Sequence, residues 1–127
     1  MFKHILIATD GSTLSNDAIQ QGVAIAWAFK AQLSAITVTL PFHIISVDPV
    51  MVTDTAPRYR EDMRKRANDA LAVVSAAAEK QGITCQLIHR EEEHPWRAII
   101  DAAKAEGCDL IVTVSYTHLT LPTNREV

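Results

Sequence analysis

Glycine is scarce in this chain, with four in 127 residues and none after Gly107. Only a residue without Cβ lets backbone N–H groups close tightly around a phosphate, so the last twenty residues contain no glycine-built anion turn. Cysteine is scarcer still. Cys85 and Cys108 lack CxxC spacing and sit among apolar or small residues, which fits a reduced, cytosolic setting. No charge sign dominates: the formal net charge is −3. The basic residues are scattered except between Arg58 and Arg66, where they alternate with Glu61 and Asp62 as on a solvated helix face, so no nucleic-acid partner is expected. No apolar run is long enough to cross a bilayer. The chain opens directly on Met-Phe-Lys-His without a signal peptide, and neither a membrane span nor membrane-surface binding is expected.

What is present is a hydrophobic content of 48%, enough for one core and, at this length, one domain. Lys3 to Thr9 (KHILIAT) is a short apolar run ending at Asp10-Gly11-Ser12, which reads as a strand, a turn and a helix start. A helix is predicted from Thr13 to Phe29, with Ala18, Ile19, Gly22, Val23, Ala26 and Phe29 as its inward stripe and Ser12 or Thr13 as its cap. Gln32 to Leu40 reads as a second strand, and Phe42 to Pro57, with Pro49 inside it, as a long connecting loop. A second helix follows from Pro57 to Gln81, inward at Met63, Ala67, Leu71, Val74 and Ala78 and capped by Gly82. Ile83 to Arg90 is a third strand. Pro95 opens a helix with Trp96, Ile99, Ile100 and Ala103 inward, and Asp109 to Thr113 (DLIVT) is a fourth strand. Strands alternating with helices imply right-handed crossovers, and hence an α/β fold with a doubly wound parallel sheet.

Several residue groups invite chemical readings. Asp10 suits helix-start capping, whereas a phosphoacceptor would need further acids and a late lysine, neither of which is apparent. His89, Glu91, Glu92, Glu93 and His94 are dense in metal-ligand types, but a charged turn is the commoner reason for such a run. Ser12 lacks the flanking glycines of a nucleophile elbow. Trp27, Phe29 and Trp96 fall on helices, as packing or surface rings.

The opening KHILIATDGS followed by a helix, AITVT as second strand, the long second helix and the closing AIIDAAKAEGCDLIVT together resemble the universal stress protein family, from the start of the chain to Thr113. The resemblance implies an adenine nucleotide alpha-hydrolase-like sheet ordered 3-2-1-4-5, with ATP and Mg bound in some members across the carboxyl ends of strands 1 and 4. Position by position it implies that Asp10 faces the ribose or the phosphate-bound metal and that Ala8 and Thr9 line the same edge. Val38 would offer its backbone to adenine, and Thr113 would sit beside the sugar and phosphates.

Nucleotide-binding members of that family continue from such a fourth strand into a Gly-x-x-Gly turn and later a Gly-Ser pair. This chain continues with VSYTHLTLPTNREV, so the fifth strand is missing and the expected order is 3-2-1-4. Residues 1–113 are therefore expected to be an incomplete universal stress protein domain and 114–127 a non-native tail, since Val114 to Thr123 resembles a transposon-based sequencing adapter read in frame. Many relatives dimerise through the fifth strand, so a homodimer belongs to the intact parent, and strand 4 is left as an unprotected edge. The resemblance implies a stress-response regulatory module, no dedicated enzyme, whose intact parent binds ATP while this chain binds it weakly or not at all. The alternatives are a slow ATPase or adenylate-forming relative, and a nucleotide-free interaction module.

Overall fold

The computed structural model describes residues 2–13, 15–41 and 49–113. Four strands and three helices alternate: β1 (His4–Ala8), α1 (Ser15–Phe29), β2 (Gln32–Thr39), α2 (Pro49–Lys80), β3 (Cys85–Glu91), α3 (Pro95–Glu106) and β4 (Leu110–Thr113). The strands form one parallel sheet in the order β3-β2-β1-β4, as expected. Right-handed crossovers dictate the layers: the chain steps β1 to β2 to β3 in one direction, which puts α1 and α2 on one face, then turns back to β4, which puts α3 on the other.

The core follows that division. Ile5, Ile7, Leu33 and Ala35 point toward α1 and α2, where they meet Ile19, Val23, Ala26, Leu71, Val74 and Ala78. Their alternating neighbours Leu6, Ala8, Ile36 and Ile88 point toward α3 and meet Ala102 and Ala103. β1, in the middle, is buried along its whole length, which is why HILIA is apolar without alternation. Gly22 lets α1 sit against the sheet. A Cβ there would lie 2.6 Å from Ile7 Cδ1.

Three expectations are corrected. The segment read as a loop up to Pro57 is helical from Pro49 onward. Pro49 occupies the first helical position, where its missing N–H costs nothing, while Pro57 forgoes one backbone hydrogen bond inside the helix. On α3 the inward residues are Ala98, Ala102 and Ala103, whereas Trp96 and Ile100 are exposed. Alanines let the helix approach the sheet closely, and the bulkier stripe turns to solvent. Phe29, placed in the inward stripe of α1, is 41% exposed and meets Phe2 edge-on at 5.4 Å instead.

The amino ends of the strands are tied together by Asp109, whose carboxylate accepts the N–H groups of Lys3 (2.9 Å) and His4 (3.1 Å) while its own N–H donates to the His4 carbonyl (2.9 Å). Beside this tie, buried His4 meets buried Ser34 through Nε2 and Oγ at 2.7 Å. Among the described residues, no helix is long and apolar enough to cross a membrane.

Candidate functional site at the carboxyl edge of the sheet

The strand order reverses between β1 and β4, the place at which open parallel sheets bind their ligands. Ala8 is the register partner of Thr113 on β4 and of Ile36 on β2, so β1 and β4 end side by side while β2 runs on to Thr39. Thr9 continues β1 by one bond, donating its N–H to the Ile36 carbonyl at 3.0 Å. The Thr39 carbonyl accepts from Glu92 on the opposite side. Alternation along β2 then aims the N–H and C=O of Val38 to the same side as those of Ile36, past the end of β1. Ala8, Thr9, Asp10, Val38 and Thr113 thus share one edge of the sheet.

The turn that follows β1 is closed by side chains. Gly11 adopts φ 82°, a left-handed conformation, and a Cβ on it would come within 3.2 Å of Ala70 on α2. Its N–H donates to Thr9 Oγ1 at 3.1 Å, and the Ser12 N–H donates to Asp10 Oδ1 at 2.9 Å. Buried Ser15 donates its hydroxyl to the same Asp10 oxygen at 2.8 Å, with Ser12 Oγ 3.4 Å behind it. The Ser12 side chain first, and then the Ser12 N–H and the Ser15 hydroxyl, hold the Asp10 carboxyl below its ordinary pKa against the opposing effect of burial. Asp10 is therefore an exposed, ionised acceptor with Oδ1 engaged and Oδ2 without a hydrogen bond among the described residues.

The capping expectation is refined by these contacts. Ser12 supplies its carbonyl to the Ser15 N–H at 3.1 Å, and its hydroxyl meets Ser15 Oγ in place of a backbone N–H. Sequence reasoning missed Ser15, although its spacing carried the signal: a serine three and four residues before Ala18 and Ile19 falls on the buried stripe of α1.

The other candidates lie apart. The His89 to His94 run does not converge, and among the described residues no group of three His, Cys, Asp or Glu side chains could hold a metal ion. His89 Nε2 pairs with Thr39 Oγ1 at 2.9 Å, and burial lowers its pKa. Trp96 stands outside, with the Arg97 guanidinium 5.5 Å from its ring centre. Burial pushes both thiols up to about 11, so Cys85 and Cys108 are poor nucleophiles at neutral pH.

The model of the universal stress protein family matches residues 1–119. The chain belongs to this family. Over 117 residues it is 30% identical to universal stress protein MJ0531 of Methanocaldococcus jannaschii, matching 88% of this chain and 64% of that relative, so it spans just under two thirds of the relative's length. Universal stress protein UspA from Lactobacillus plantarum superposes with a TM-score of 0.74 at 22% identity, over 87% of this chain and 75% of that one. A universal stress protein solved in complex with cAMP superposes with a TM-score of 0.63 at 22% identity, over 97% of this chain and 88% of that one. At such identities these two structures speak for the fold alone, and they agree with the sheet described above.

Proposed function

We propose that this chain is a regulatory module of its family and no dedicated enzyme. In the intact parent it takes adenine nucleotide, ATP with Mg, at the carboxyl edge. The residues of that edge suit the nucleoside half of such a ligand: Val38 offers backbone polar groups beyond the end of β1, Asp10 offers a free carboxylate oxygen, and Thr113 lies beside Ala8. A relative of the same fold solved with cAMP supports a ligand built on adenosine.

The phosphate half fares differently, and one observation carries this part of the reading. The N–H groups of Gly11 and Ser12, which would face an anion at the first turn, are already taken by Thr9 and Asp10. Phosphate donors must then come from beyond β4, where VSYTHLTLPTNREV has no glycine to shape them. Magnesium would neutralise phosphate charge when bound, and Asp10 is the one carboxylate named at this edge to face it. Adenine nucleotide is accordingly held weakly or not at all by the 127-residue chain, and hydrolysis is at most slow. A cytoplasmic setting and a homodimer in the intact parent complete the proposal.

Isothermal titration with Mg-ATP tests it. No saturation in the micromolar range is expected for this chain, and micromolar binding overturns the reading. Residues 114–127 lie outside the described residues and are proposed to be no part of the domain. A variant stopping at Thr113 should melt with the full chain, and a large loss of stability would return the tail to the fold.

A further inference from the structure

Ser15 is 1% exposed and stands at the first position of α1, on the stripe that packs toward the sheet. A buried hydroxyl is costly unless it is bonded, and here it is spent on a single target, the Asp10 carboxylate five residues upstream. The bond is charge-assisted at 2.8 Å, and Ser12 Oγ at 3.4 Å from Ser15 Oγ extends the chain of hydroxyls behind it. Together with the Ser12 N–H, it leaves Asp10 Oδ1 with two protein donors and Oδ2 with none among the described residues. A carboxylate on an exposed turn would otherwise rotate and share its oxygens between the turn and water. Ser15 is anchored in the core, so the direction of its hydroxyl is set by helix packing and not by the turn.

We propose that Ser15 is a positioning residue: it clamps one oxygen of Asp10 and so holds the carboxylate at the carboxyl edge of the sheet as a preset acceptor for a ligand donor. The proposal rests on the nucleotide reading above only for what that ligand is. Core packing of α1 thereby reaches the site, because any change that withdraws the helix start also releases the Asp10 carboxylate.

The test is Ser15→Ala, which removes the hydroxyl and leaves no extra volume to accommodate. Titration of the Asp10 carboxyl followed by carbon NMR should move upward toward the ordinary carboxylate range in the variant, with the Asp109 carboxyl unchanged as an internal reference. A Ser12→Ala variant, which keeps the Ser12 N–H and the Ser15 hydroxyl, should also move it upward, because the Ser12 side chain lowers the same carboxyl. If Ser15→Ala leaves the Asp10 curve superimposed on that of the original chain, the proposal is overturned, and no ligand is needed for that result. A second arm measures adenosine binding, where loss of the preset acceptor should weaken affinity about tenfold. If the original chain binds no adenosine, which the reading above allows, the titration alone decides the role of Ser15.

Discussion

Gly22 shows how tightly single residues are constrained here. The Ile7 side chain occupies the space where a Cβ would stand, with Cδ1 at 2.6 Å and Cγ1 at 2.7 Å, and Ile7 is itself fully buried between α1 and the sheet. Gly22→Ala should therefore cost about 1–3 kcal/mol through overpacking, despite the better helix propensity of alanine. Urea denaturation measures the loss. Ile7→Val removes the Cδ1 contact, so the double variant should be more stable than the sum of the two single losses requires. Asp10 is the counterpart at the candidate site. Its position after the first strand was legible, but its hydrogen bonds were not, because they depend on a serine that the helix periodicity marks only as inward-facing.

At the scale of elements, the ends of the helices differ in quality. α3 closes on Gly107 in the left-handed conformation (φ 72°), with the cap N–H reaching the carbonyls of Ala103 and Lys104. α1 closes with the same geometry but on a lysine: Lys30 has φ 54°, and the Ala31 N–H reaches back to the Ala26 carbonyl at 2.9 Å. A side chain in that region costs about 1 kcal/mol relative to glycine, so Lys30→Gly should stabilise the chain by about that amount. A thermal melt at neutral pH reads the gain, and a lower melting temperature would show that the lysine side chain contributes contacts of its own. The elements themselves were legible from periodicity. The start of α2 was not, because Pro49 carries the same letter whether it breaks a segment or opens a helix.

At the scale of the whole molecule, the first and last described strands are joined through Asp109, which links residues 106 apart in sequence. The N–H groups of Lys3 and His4 hold its carboxyl below the ordinary value, as the turn donors do for Asp10. A carboxyl with a depressed folded-state pKa contributes stability above its unfolded value, about 3.9, and that contribution is lost as pH falls through the lower folded value. Asp109→Ala should therefore destabilise the chain at pH 7, while the gap to the original chain narrows in acid below the unfolded carboxyl range. Urea midpoints collected across that range check the sign. A gap that stays constant with pH would mean that the tie works through packing and not through charge.

The succession of strands and helices and the parallel sheet were readable from the chain, because apolar periodicity and turn residues are local properties. The family resemblance supplied the strand order in advance of the structure. Packing in three dimensions was needed for the rest. Periodicity on α3 allows two neighbouring stripes, and the distance to Leu6, Ala8, Ile36 and Ile88 selected the alanines over Trp96 and Ile100. The feature on which the proposed function rests, a first turn whose N–H groups are consumed by Thr9 and Asp10, arises from side-chain directions that no spacing encodes. Hydrogen bonds depend on where atoms meet after folding, and a sequence alone lists only which groups are available to meet.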